Sequence, residues 1–194
     1  MTSFLQRIRN KLVREIIVPV FNSIPAKLRW TWTQETEHGQ EDDSPDLRSA
    51  FSEFVGSAGS LLDVGCGKRS LYHAKRIVGI DPFPNPEYPY DFIRAVGERL
   101  PFRDGAFDVC TCFTSLDHTF DPAQVIIEMR RVSRLVGVAS TVTSVKDFIH
   151  PSRLTKQRLF SLVKPTEVRV LPLTPASEFV MLKEEEPGED GSQE

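Results

Sequence analysis

Residues 61–70, LLDVGCGKRS, constrain the fold more than any other segment: an apolar strand ends in an acid and runs at once into two glycines one residue apart. Gly65 and Gly67 allow a tight turn and let backbone amides approach a ligand closely. Asp63, at the strand tip, can orient that turn or accept a hydrogen bond from a ligand ammonium. Eighteen residues beyond it the apolar run RIVGI ends in Asp81. An acid at the tip of a second strand is where a ribose diol is gripped, both hydroxyls donating to one carboxylate. A lone GxG says little. Strand, DxGxG, second strand and terminal acid in this order say much more.

The rest of the chain alternates in the same way. The pattern predicts strands near 60–64, 76–80, 92–95, 106–112, 135–142, 167–173 and 178–183. A helix opens at Pro45 behind the N-cap Ser44, carries Leu47, Ala50, Phe51, Phe54 and Val55 as its stripe, and closes at Gly56. Another spans 122–134, with Asp121 as N-cap, Pro122 at its first position, and Val125, Ile126, Met129 and Val132 on one face. A third fills 155–164 around Leu159, Phe160 and Val163. Alternation of this kind implies an α/β fold with a parallel sheet, its ligand beyond the carboxyl ends of the strands. Only Thr174, Pro175, Ala176 and Ser177 join the last two strands, enough for a hairpin but not for a parallel crossover. Between Asp81 and Phe92 stand Pro82, Pro84, Pro86 and Pro89, so the helix expected there is missing or vestigial.

Charge divides the chain into three parts. The 194 residues carry a net −3, which argues against a dedicated nucleic-acid binder, yet residues 1–29 hold +5 and residues 183–194 hold −5. The division expected is a basic head and linker at 1–43, a ligand-binding domain at 44–183 and an acidic tail at 184–194. In the head, Phe4, Leu5, Ile8, Leu12, Val13, Ile16 and Ile17 recur at helical spacing while Arg7, Lys11 and Arg14 fall elsewhere. Such a helix packs on its own domain, lies on a membrane surface or docks on a partner. Its apolar run is too short to span a bilayer. Residues 33–43 read as a linker, and Trp30 and Trp32 just before it as part of a lid or an edge contact. Cys66, Cys110 and Cys112 are an odd number in apolar surroundings, which fits reduced thiols in the cytoplasm better than a zinc site.

The segments LLDVGCG, VGID and ERLPFRDGAFDVCTCFTSLDHTFDPAQVIIEMRRVSR, taken together, resemble the class I S-adenosylmethionine-dependent methyltransferases, in particular the small type 11 enzymes related to ubiquinone and menaquinone methyltransferases. The resemblance covers about residues 58–150 and extends more loosely to 183. It implies a Rossmann-like seven-stranded sheet in the order 3-2-1-4-5-7-6 with the seventh strand antiparallel, and S-adenosylmethionine as cofactor. It also implies roles for named residues. Asp63, Gly65, Cys66 and Gly67 surround the methionine part; Asp81 holds the ribose; Pro82 and Phe83 lie near the adenine. Gly97 offers a backbone amide to the adenine ring, and Phe113 and Thr114 face the methionine ammonium. Leu116, Asp117 and His118 stand at the mouth of the substrate site.

Three positions depart from the family pattern. Arg69 stands where a third glycine is common, Val96 where an acid often reads the adenine amino group, with Glu98 the nearest substitute, and no ProGlyGly turn follows the 122–134 helix. His118 is the candidate base, since histidine's unperturbed pKa of about 6.5 suits proton abstraction at neutral pH. Asp117 or Asp121 would orient it, and these three need not converge on a metal ion. His150 is a further residue able to reach the substrate. Arg130, Arg131 and Arg134, near a helix C-terminus, read as surface charges favoured by the helix dipole. The reading is an enzyme acting on a small-molecule, sugar or lipid acceptor. Its alternative is a non-catalytic cofactor-binding subunit. A nicotinamide oxidoreductase is disfavoured because no Tyr is followed four residues later by Lys.

Overall fold

The strands form because their apolar residues run nearly unbroken, as a sheet covered on both faces requires. In the computed structural model, which describes residues 45–67, 72–82, 88–142, 154–174 and 177–185, they are β1 (Ala58–Val64), β2 (Ala74–Asp81), β3 (Asp91–Arg94), β4 (Phe107–Phe113), β5 (Ser133–Val142), β6 (Glu167–Thr174) and β7 (Ser177–Glu185). The basic head, the 33–43 linker, Trp30, Trp32, Arg69, Phe83, His150 and the tail from 186 lie outside the described residues. The sheet order is β3-β2-β1-β4-β5-β7-β6. β1 to β5 pair in parallel, and β7 runs antiparallel to both β5 and β6. This is the order and direction that the resemblance implies.

Among the described residues three helices flank the sheet. α1 (Pro45–Val55) ends where Gly56, at φ +86°, returns its amide to Ser52 O at 3.0 Å. α2 (Pro122–Val132) is capped by Asp121, whose side chain accepts from Gln124 N. It stops two residues sooner than its periodicity predicts, because Ser133 turns extended and pairs with Phe107. Ser133 Oγ donates to Met129 O at 2.9 Å, so the chain passes from helix to strand without a glycine turn. α3 (Lys156–Val163) has Thr155 as its N-cap and Lys164 in the left-handed conformation at its end.

The core lies in two halves. α2 and α3 pack on one face of the sheet against Leu62, Val64, Cys110, Val136 and Val138. On the other face α1 packs its Phe51 and Phe54 with Leu61, Phe113, Phe179 and Met181. That second face lacks two crossover helices among the described residues. Residues 65–73 alone join β1 to β2, and residues 82–90 alone join β2 to β3. Both are short of the dozen or so residues that a parallel crossover ordinarily takes. The prolines signal that the second connection is unusual; the shortness of the first is visible only once the strand ends are known. Buried Tyr72 and Tyr88 pack on this face instead.

Two expectations need correction. Arg130 and Arg131 are not free-standing surface charges. Arg130 donates to the terminal α3 carbonyls of Leu162 and Val163 at 2.6 and 3.0 Å and pairs with Glu184 through both of its acceptor oxygens. Arg131 gathers Leu100 O, Phe102 O, Glu128 and Asp104. Orphan carbonyls need donors, and these guanidiniums supply them. Arg134 is exposed but bonded to Asp108, which also accepts from Ser60 N at 2.8 Å. The sheet also takes in the start of the acidic tail, since Glu184 and Glu185 pair with Val136 and Leu135. At the far rim, the edge strand β6 carries exposed Pro172 beside an irregularity in its register with β7.

Candidate functional site

The carboxyl ends of β1, β2 and β4 meet at one end of the sheet. β1 turns there through Gly65 and Gly67, at φ +68° and +54°. Both values lie in the region that glycine adopts without steric cost. A side chain at Gly65 would also collide with Ser115, whose hydroxyl donates to Val64 O at 3.0 Å and lies 3.1 Å from Cys112 Sγ. The amides of Gly65 and Cys66 both donate to Ile80 O, at 2.9 and 3.1 Å. These two amides therefore fasten the turn to β2, and what the turn offers a ligand is close approach of its backbone.

Asp63 lies under this turn and is almost inaccessible. Thr111 Oγ1 donates to its Oδ1 at 3.2 Å, and Tyr88 OH donates to its Oδ2 at 3.4 Å. Arg48 on α1 and the Tyr72 hydroxyl also favour the carboxylate, yet burial prevails and lifts its pKa to about 6. Burial and the neighbouring Asp63 push the Tyr72 hydroxyl well above its ordinary value, so it stays protonated. Arg48 is also held over the Phe113 ring, 4.5 Å from its centroid. Asp81 ends β2, half-buried, and its carbonyl accepts from Ala95 N at 3.2 Å. Pro82 follows it at the rim.

Some expected site residues serve the fold first. Phe113 packs between Phe51 and Phe179, at centroid distances of 5.7 and 5.6 Å, and is part of the core. Gly97 is buried against Val64 and Val125, which would have to shift by a few tenths of an ångström to admit a Cβ. Glu98 Oε1 accepts from Phe120 N at 2.9 Å and Asp121 N at 3.4 Å, so it holds the segment after β4; burial raises its pKa. Thr114 is a β-branched residue at φ +48°, a conformation that costs about 1–3 kcal/mol and is found chiefly where function demands it. Its amide donates to Ala139 O at 2.8 Å.

Leu116–His118 form a single 3-10 turn beyond β4. Leu116 is fully buried, Asp117 nearly so, and His118 is exposed, with its Nε2 3.9 Å from Asp117 Oδ1. Asp121 is committed to capping α2, which leaves Asp117 as the acid beside His118. Among the described residues no three His, Cys, Asp or Glu side chains could hold a metal ion. Cys66, Cys110 and Cys112 are buried and form no disulfide, and burial pushes the Cys112 thiol up to about 12. The residues that sequence reasoning misses are Arg48, Tyr72, Tyr88 and Ser115, since no local pattern marks them.

A family model described as a methyltransferase domain matches residues 62–140. An uncharacterized methyltransferase from Mycobacterium sp. (strain KMS) is 33% identical over 106 residues, which are 48% of this chain and 42% of that protein. Ubiquinone biosynthesis O-methyltransferase from Pseudomonas paraeruginosa is 32% identical over 131 residues, 56% of this chain and 55% of its own length. The chain thus spans about half the length of the curated relatives it matches. Among solved structures, 1,6-didemethyltoxoflavin-N1-methyltransferase from Burkholderia thailandensis shares the fold at a TM-score of 0.56. The likeness covers 96% of this chain and 92% of that one at 14% identity. Residues 62–140 thus match a methyltransferase domain, and they lie on a sheet whose strand order is the one implied by the resemblance to the class I S-adenosylmethionine-dependent methyltransferases of type 11.

Proposed function

We propose that the domain of residues 44–183, carried to 185 by β7, binds S-adenosylmethionine over the ends of β1, β2 and β4 and methylates a small-molecule acceptor. One observation carries this reading. The parallel register sets Asp63 opposite Gly79, so Asp63 and Asp81 stand two positions apart on adjoining strands with the glycine turn beside them. A carboxylate beneath the turn favours a bound ammonium, and a second at the β2 tip accepts from a diol. The residues therefore fit the group. Gly65, Cys66 and Gly67 would lie along its methionine part, Asp81 at the ribose, and Pro82, Phe83 and the Gly97 amide near the adenine. Thr114 would stand near the ammonium, while Glu98 and Phe113 support the site from behind.

When bound, S-adenosylmethionine supplies an electrophilic methyl group on a sulfonium. The protein's part is to align an acceptor in line with it and to exclude water. For a hydroxyl acceptor, His118 takes the proton and the Asp117 carboxylate steadies the imidazolium. The named activities of the relatives, on a ubiquinone precursor and on a toxoflavin precursor, make a ring hydroxyl or ring nitrogen a reasonable first acceptor to try. Titration calorimetry with S-adenosylhomocysteine tests binding; no heat at millimolar ligand refutes the reading. Transfer of label from methyl-tritiated S-adenosylmethionine to candidate phenols and heterocycles then tests turnover.

Buried thiols outside any disulfide suit the cytoplasm, and no described helix is long and apolar enough to cross a membrane. The basic segment 1–20 either packs on its own domain or makes a peripheral contact with a membrane or a partner, and in the second case it is dispensable for cofactor binding. Its deletion is then expected to abolish activity or sedimentation with anionic vesicles while leaving cofactor affinity unchanged. Loss of cofactor binding as well would mean that the segment belongs to the domain's own packing.

A further inference from the structure

Tyr88 occupies an unusual position. It comes from the connection that follows Asp81, yet its ring lies back across β2 on Gly79, where any side chain would collide with it. Cys66 Sγ adjoins the same glycine, 2.8 Å from where a Cβ would stand. Gly79 is the register partner of Asp63, so the ring is set directly beside the β1 tip. Tyr90 and Phe92 brace it, with centroids 5.9 and 6.3 Å away. From there the hydroxyl reaches Asp63 Oδ2. Tyr72, from the β1–β2 connection, brings a second hydroxyl to the same carboxylate.

We propose that Tyr88 is a positioning residue of the cofactor site, whose ring packs on Gly79 and whose hydroxyl, together with Arg48 and Thr111, steadies the Asp63 carboxylate beneath the glycine turn where the cationic end of the cofactor is held. The proposal rests on the cofactor-binding reading given above. Other described groups that face Asp63 are Arg48 from α1, Tyr72 from the β1–β2 connection, and Thr111, Cys110 and Cys112 from β4. Arg48 supplies opposite charge; Thr111 and Tyr72 are donors; the two thiols are neutral. Tyr88 differs from all of them in belonging to the segment that follows the ribose acid, so it links the two strand-tip carboxylates.

The test is calorimetric titration of the full chain with S-adenosylhomocysteine between pH 5 and 8.5. The ligand's ammonium stays charged across most of this range, and the groups other than Asp63 that change charge within it are common to the parent and Tyr88→Phe, so the difference between the two reports Asp63. Parent affinity is expected to rise with pH through a midpoint near 6, where Asp63 ionises. Tyr88→Phe keeps the ring over Gly79 and removes only the donor. It should move the midpoint upward by about 0.7 pH units, a threefold loss of affinity at pH 6 that vanishes by pH 8.5. Asp63→Asn should bind more weakly with a flat profile. A Tyr88→Phe midpoint equal to the parent's, or a loss uniform in pH, overturns the proposal, as does a flat parent profile. A parent that binds at no pH overturns the cofactor reading itself, so the two failures are distinguishable.

Discussion

Neutralising Asp63 should make the protein more stable at neutral pH. Its carboxyl is fully buried, and burial outweighs the help of Arg48, Thr111, Tyr88 and Tyr72, raising the pKa from 3.8 to about 6. A rise of about two pH units means that the folded protein disfavours the ionised form by about 3 kcal/mol. Since the folded value lies above the unfolded one, the site's stability is fully present below about pH 4 and is lost as pH rises through about 6. Asp63→Asn keeps the shape and abolishes the titration. The amide nitrogen, however, faces a hydroxyl that needs an acceptor, at a cost of about 1–2 kcal/mol at every pH. Relative to the parent, the variant is therefore expected to be about 1 kcal/mol weaker at pH 4 and about 1 kcal/mol stronger at pH 7. Urea unfolding followed by circular dichroism at pH 4, 5, 6, 7 and 8 measures the difference. A difference constant in pH, or one that falls as pH rises, refutes the reasoning, the second by showing that Arg48 outweighs burial. A carboxylate retained at such a cost is what a binding site would explain.

Other perturbations have separate readouts. Gly65→Ala forces a left-handed alanine against Ser115 and should cost about 2–3 kcal/mol in urea unfolding. Adding Ser115→Ala should recover only the share due to the collision. Arg130→Met strips donors from Leu162 O, Val163 O and Glu184, and a loss of about 2 kcal/mol is expected, given the side chain's partial exposure. A change under 0.5 kcal/mol, roughly what an ordinary surface substitution gives, would mean that water replaces it. His118→Ala should lower kcat on a hydroxyl acceptor by about 10²-fold or more and leave calorimetric cofactor affinity alone; an equal loss of affinity would argue against a role as base.

The strands were legible because apolar runs with acids and glycines at their ends have few other uses. All seven lie within two residues of their expected positions. The order of those strands is not written in any local pattern and came with the resemblance. Asp63 and Asp81 were legible as strand-tip acids, but the surroundings of Asp63 were not. Arg48 is one polar residue on an amphipathic helix, and Tyr72 and Tyr88 are aromatics in connecting segments. They meet at Asp63 through the packing of α1 and of two connections on the same face, which depends on where β1 and β2 end. Family position likewise assigned Phe113 and Glu98 to the ligand, whereas the packing commits the ring to the core and one carboxylate oxygen to the amides of Phe120 and Asp121. A position in a motif fixes the strand tip on which a side chain stands; which way the side chain turns depends on what the rest of the chain has left to be filled.

Pro172 has a consequence for how molecules of this protein meet one another. An outermost strand is a template onto which a second chain can zip, and every free amide along it is an invitation. A proline offers no amide, and the register irregularity beside it bends the rim away from a straight match. At that position the outer strand of the hairpin therefore gives a second chain no amide with which to extend the sheet.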